Sequence, residues 1–166
     1  MKDNEKVKIY KPAGYNCFAC GTENPIGLNL EFYAKDGKVC SEITLGKYHV
    51  GWADITHGGI ISTLLDEVMS WTILYFKRVF FVTRKMELKY IKPVTTGVPL
   101  LVTGSIMSNS SKGKIIAVRG ELRDENNNLL AKSRGEFVEI DREDISPDFE
   151  GSKKEIFSLI DALPPI

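Results

Sequence analysis

The chain has 166 residues, enough for one ordinary domain with a single sizeable core and short for two. Its 22 Lys and Arg balance 22 Asp and Glu, so no whole-chain field draws in nucleic acid or an anionic membrane, and the balance points to a small ligand. No apolar run reaches the ~18 residues that span a bilayer, the start "MKDNEKVKIYKPAG" lacks a signal-like apolar stretch, and Cys17, Cys20 and Cys40 do not make a disulfide scaffold; these features predict a cytoplasmic protein with reduced thiols.

Residues 1–16 are polar, carry Pro12 and Gly14, and read as a loosely held arm. "CFACGTENPIGLNLEFY" passes through turn chemistry at Asn24-Pro25 and Gly27 into a first strand in which Leu30 and Phe32 share a face. "KDGK" is a hairpin signal, and Val39, Ser41, Ile43 and Leu45 alternate after it as a second strand. A long apolar helix follows in "GGIISTLLDEVMSWTILYF". After Lys77 the period becomes two: Met86, Leu88 and Tyr90 alternate up to Pro93, and "PVTTG", "SNSSKGK" and "DENNN" separate three further strands. Short polar turns between long strands imply antiparallel pairing. The expectation is an α+β domain over residues 17–140, an antiparallel sheet wrapped around one long central helix. A polar tail, 141–166, follows, in which "KKEIFSLIDAL" predicts a short helix.

The helix carries the chemistry. At about 100° per residue, Ile60, Ile61, Leu64, Leu65, Val68, Trp71 and Tyr75 fall in one half and Asp66 in the other, beside Ile73, Leu74, Ser62, Thr63 and Ser70. That second half lacks the several Lys, Glu or Arg of a freely solvated face. A carboxylate on a covered face costs several kcal/mol unless paired, hydrogen-bonded or neutralised. It is then either an acid satisfied at a subunit interface or a general base or nucleophile. Glu67 could serve in place of Asp66, and periodicity does not decide between them. At the helix start, backbone N–H groups without internal partners suit an oxygen that gains negative charge, and Gly58 and Gly59 let a ligand approach closely. The same glycines would also fit a crowded helix entry, and His57 could orient a substrate or cap the helix. Together with Asp66 they suggest attack on a carbonyl whose oxygen sits at the helix start, which is acyl-transfer chemistry.

At this point "HGGIISTLLDE" resembles the signature helix of hotdog-fold thioesterases, in particular PaaI-like and Them4-like acyl-CoA hydrolases. The resemblance spans about Cys17 to Ile140, with "CFACGTENPIGL" similar to the family's lead-in and "FVTRKMELKYIKPVTTG" to its strand after the helix. It implies the hotdog fold and hydrolysis of an acyl-CoA thioester with no metal or other cofactor, coenzyme A being part of the substrate. It implies further that Asp66 is the catalytic carboxylate, Gly58 the carbonyl-polarising N–H and Thr83 a hydroxyl that places water, with His57, Gly59 and Glu67 at the substrate. Six residues before His57, where some PaaI-like members carry an Asn that helps bind the thioester, this chain has Gly51, which implies slower or differently assisted turnover. Arg84, Lys85, Lys89, Lys112 and Lys114 are available to CoA phosphates or form a solvated strand face; Phe76, Phe80 and Phe81 would line an acyl tunnel or the core.

Three rivals stand beside this reading. Cys17-x-x-Cys20 would be half a zinc site, but Cys40, His49 and His57 supply no second pair at matched spacing, so no metal is expected. A non-catalytic acyl-CoA-binding or sensor protein could use the same fold. A dehydratase would need a reactive His facing the acid. One distance adds a partner: eight residues at ~1.5 Å rise put Gly58 and Asp66 about 12 Å apart on one helix, too far to share a carbonyl. Two antiparallel helices around a two-fold axis remove the difficulty, so the expected assembly is a homodimer with composite sites, or a dimer of dimers (a homotetramer).

Overall fold

The structure, a computed structural model, describes residues 5–107 and 113–166. A seven-stranded antiparallel sheet curls around one long helix, the wrapped architecture the sequence predicts with one strand more than the six its alternation marks. The strands are β1 (Val7–Ile9), β2 (Phe32–Lys35), β3 (Lys38–Thr44), β6 (Phe81–Tyr90), β7 (Pro99–Ile106), β8 (Ile115–Asp124) and β9 (Leu129–Glu139), in the spatial order β1-β2-β3-β7-β8-β9-β6. A separate two-stranded hairpin, β4 (Val50–Trp52) with β5 (Ile55–Thr56), leads into the helix α1 (Gly58–Lys77). A second helix, α2 (Glu150–Asp161), closes the chain where "KKEIFSLIDAL" predicts one. No helix among the described residues is long and apolar enough to cross a membrane.

The β2–β3 hairpin follows from its turn. Asp36 and Gly37 both have left-handed backbone (φ 49° and 70°), the geometry of the two-residue turn that matches strand twist, so Lys35 pairs with Lys38. The first predicted strand begins later than its alternation suggested: Leu30 is buried but lies ahead of β2. The arm, read as loosely held, supplies β1, with Val7 to Ile9 paired against Ala34 to Phe32 and Ile9 buried. The sequence reading also missed β4 and β5, which are too short to show a period.

The sheet accepts α1 closely because its centre lacks side chains. Gly104 pairs with Gly120, and Gly120 with Ser133, so a lane of small residues crosses β7, β8 and β9. A Cβ at Gly104 would stand 2.2 Å from Thr72 Oγ1 and 2.8 Å from Val68 O; one at Gly120 would stand 2.6 Å from Ser133 Oγ and 3.1 Å from Leu65 Cδ2. Leu64, Leu65, Val68, Met69, Trp71 and Ile73 are buried. Burial of Ile73 confirms that the helix is covered beyond its most apolar half. Trp71 stacks on Phe32 at 4.7 Å between ring centroids, and Phe81 meets Phe137 edge-on at 5.4 Å.

At its far end α1 stops at Arg78, whose backbone is left-handed (φ 57°) and whose N–H bonds Leu74 O. The Arg78 guanidinium donates to the carbonyls of Tyr75, Ile160, Leu163 and Pro164. It therefore ties the C-terminal segment to the helix end, with Leu159, Ile160 and Leu163 buried beneath.

Candidate active site

His57 caps α1. Its Nδ1 accepts from Gly59 N at 2.9 Å, and its carbonyl accepts from Ile60 N and Ile61 N at 3.0 and 3.3 Å. An accepting Nδ1 is an unprotonated one, so this imidazole serves the helix end. Gly59's N–H is thereby occupied, whereas Gly58's meets no acceptor among the described residues. Tyr90, at the end of β6, donates its hydroxyl to Gly58 O at 2.9 Å and fixes the helix start against the sheet. A Cβ at Gly51 would lie 2.9 Å from His57 Cα. The absence of a side chain at position 51 is thus a packing requirement of this hairpin against the cap.

Asp66 lies two turns further along, half-buried, with the Thr83 hydroxyl donating to its Oδ1 over a long 3.4 Å. Burial raises the Asp66 carboxyl above the usual carboxylate range, and the Thr83 hydroxyl opposes that shift. Thr83 is aimed by a β-bulge: Thr83 pairs with Phe137 and Lys85 with Glu136, which leaves Arg84 as the extra residue. No pattern in "FVTRKMELKY" marks that bulge.

Glu67 faces elsewhere. Its Oε1 accepts from Trp71 Nε1 at 3.0 Å and faces Cys17 Sγ at 3.9 Å. Burial, reinforced by Cys17, pushes this carboxyl up to about 7. The structure therefore distinguishes two neighbouring acids that periodicity left equivalent. It groups Asp66 with Thr83, groups His57, Gly58 and Gly59 at the helix start, and places Glu67 in neither group. Tyr90 and the Arg84 bulge are the features sequence reasoning missed; an aromatic ending the strand after the helix is the one available signal for Tyr90.

Of the basic residues considered for phosphate, Lys85 pairs with Glu87 and Lys114 with Asp141 and Asp144, all exposed. Arg84 and Lys89 are exposed, and Lys112 lies outside the described residues. Phe76 and Phe81 pack against the core. A groove of ≈ 450 Å³ on the outer sheet face is lined by Glu87, Lys89, Arg119, Lys132 and Arg134 among others, and not by Asp66 or Gly58.

The family model described as "Thioesterase superfamily" matches residues 53–131, which hold the helix start, Asp66, Thr83 and Tyr90. No significant match is found among curated proteins. Among solved structures, a thioesterase superfamily protein is 26% identical with a TM-score of 0.68 over 74% of this chain, which spans 63% of that protein's length. The PaaI protein of the E. coli phenylacetic acid degradation operon is 16% identical with a TM-score of 0.62, over 69% of this chain and 81% of that one. A Streptococcus mutans protein bound to acetyl CoA is 20% identical with a TM-score of 0.60, over 72% and 94%. The last two share the fold with this chain. With its sheet wrapped on α1 the chain has the hotdog fold, and its helix-to-strand segment, residues 53–131, is similar to the thioesterase superfamily.

Proposed function

We propose that this protein hydrolyses an acyl-CoA thioester to free CoA and a carboxylic acid. The observation that carries the reading is the pairing of a spare donor with a spare base on one helix: the Gly58 N–H without an acceptor and the half-buried Asp66 held by Thr83. The thioester oxygen, more negative as the carbonyl is attacked, is received by the Gly58 N–H at the positive end of α1. Asp66 takes a proton from water as that water adds to the carbonyl carbon. The C–S bond then breaks, and CoA leaves as a thiolate that is protonated. A Gly59 N–H already bonded to His57 limits the oxyanion contact to Gly58, with His57 shaping the approach. The Streptococcus mutans neighbour with acetyl CoA supports the substrate class.

The site is composite. Among the described residues β6 ends the sheet, paired to β9 on one side and open along the other. Thr83, beside Asp66, and Tyr90, beside Gly58, sit toward opposite ends of that strand. A two-fold axis near Met86 and Glu87 would pair β6 with its copy, cover an edge of ten residues and set each Asp66 against the other chain's Gly58. We therefore read the working unit as a homodimer or a dimer of dimers.

A panel of straight-chain, branched and aromatic acyl-CoAs, followed by free thiol, tests the proposal. Turnover of at least one class, lost by about 10² to 10⁴-fold in Asp66→Asn with binding retained, is the expected result. Binding without thiol release by the native protein would replace hydrolysis with acyl-CoA sensing.

A further inference from the structure

Away from Asp66, the lead-in loop meets α1 at a cluster that the proposed hydrolysis does not use. Cys17 Sγ, Cys20 Sγ and a carboxylate oxygen of Glu67 all lie within 4.8 Å of one another. The loop is folded to bring the two sulfurs together. Gly21 N donates to Cys17 O at 2.9 Å, Cys20 N–H points at Cys17 Sγ at 3.5 Å, and a Cβ on Gly21 would stand 2.5 Å from Cys17 O and 2.6 Å from Cys17 N. Only glycine fits after the second cysteine, because the turn passes over itself there.

We propose that Cys17, Cys20 and Glu67 bind a divalent cation of the zinc class. Two thiolates and a carboxylate are a donor set for such an ion. A tetrahedral zinc with bonds of about 2.3 Å to sulfur and 2.0 Å to oxygen sets sulfurs about 3.8 Å apart and sulfur and oxygen about 3.5 Å apart. The Cys17–Glu67 separation of 3.9 Å is already close to that. The charges also close: three acidic donors carry −3 when ionised, the ion supplies +2, and Lys11 supplies +1. Lys11 Nζ bonds Cys20 O and Asn29 Oδ1, both at 2.9 Å, beside the sulfurs without occupying them. No Lys, Arg or His forms an ion pair with Glu67 among the described residues.

The fourth position opens toward a groove of ≈ 620 Å³ walled by Tyr15, Asn16 and Cys17 on one side and Glu155 and Ser158 of α2 on the other. The half-buried Cys17 lines that groove, and a water entering from it would supply the fourth ligand. The consequence is structural: the segment 17–30 contributes no strand, and the ion would staple it to the middle of α1. The sequence offers no second ligand pair at matched spacing among Cys40, His49 and His57, and on that ground predicts no metal. The third donor comes instead from a helix 50 positions beyond Cys17.

The experiment uses the full chain, reduced and stripped by dialysis against a chelator, with Co²⁺ as the probe. One ion per chain, thiolate-to-cobalt charge-transfer absorption and displacement by Zn²⁺ are expected. Cys17→Ser and Cys20→Ser should abolish the charge-transfer bands. Glu67→Gln should keep sulfur bands but weaken uptake by more than the ~10-fold loss typical of disturbing an outer-shell partner. A readout on the native protein guards against a misfolded variant: Zn²⁺ should shield Cys17 from iodoacetamide, and a chelator should restore its alkylation. Cobalt binding without sulfur bands, bands that survive in both serine variants, or Zn²⁺ with no effect on alkylation would each overturn the proposal. So would a protein isolated as the Cys17–Cys20 disulfide that takes up no metal after reduction.

Discussion

Mixing two inactive variants exposes the composite site. One chain carries Asp66→Asn, which removes the base, and the other Gly58→Pro, which removes the N–H. The structure indicates that the second variant folds. His57 has φ −59° and ψ 134°, extended backbone outside the α region, with ψ in the range a following proline favours. Gly58 is the first helical residue, where proline is tolerated. The nearest atom to a Cβ there is the end of a side chain, Tyr90 Oη at 3.1 Å. Equal amounts, unfolded together and refolded, give mixed dimers as about half of the population. In each mixed dimer one site holds both lesions and the other neither. About a quarter of all sites should be intact, so thiol release from an acyl-CoA should return to about 25% of the native rate, against background for either variant alone. If Gly58 and Asp66 of one chain served the same carbonyl, every mixture would stay at background. Size-exclusion chromatography with light scattering on the same samples confirms that dimers formed, so a dead mixture of intact dimers would refute the reasoning.

Thr83→Ala should lower kcat by something like 10²-fold with little change in KM, the scale of a supporting polar group, and native turnover would remove Thr83 from the site. Tyr90→Phe removes the side-chain donor to Gly58 O and should cost about 1 kcal/mol, read as a Tm lower by a few degrees, with a loss in kcat as the helix start loosens. Gly104→Ala forces a methyl to 2.2 Å from Thr72 Oγ1 and 2.8 Å from Val68 O, and should destabilise by about 1–3 kcal/mol in urea unfolding; an unchanged midpoint would mean that α1 does not rest on that lane. Arg78→Ala removes the donor shared by Ile160, Leu163 and Pro164, so hydrogen exchange should quicken over residues 150–165 while β7 to β9 stay protected.

The sequence alone determined the order of the long elements, because those signals are local. The left-handed turn of Asp36-Gly37, the alternation of "IIAVRGELR" and the apolar run after Gly58 each specify their own structure regardless of what packs on them. The pairing of a helix start with a carboxylate two turns on was equally legible, and so was the ~12 Å that separates them. Tertiary structure decided what depends on residues distant in sequence. It decided which of two adjacent acids faces which surroundings, since Asp66 meets Thr83 from β6 while Glu67 meets Cys17 and Trp71. It decided that Gly104 and Gly120 stand in register beneath Thr72 and Leu65, which turns two unremarkable glycines into the seat of the helix. It brought Val7 to Ile9 onto the sheet edge, a pairing that supplies backbone partners without any side-chain period to announce it. And it set Glu67 against a cysteine pair near the other end of the domain's lead-in, because loop closure, unlike periodicity, leaves no mark in the spacing of residues.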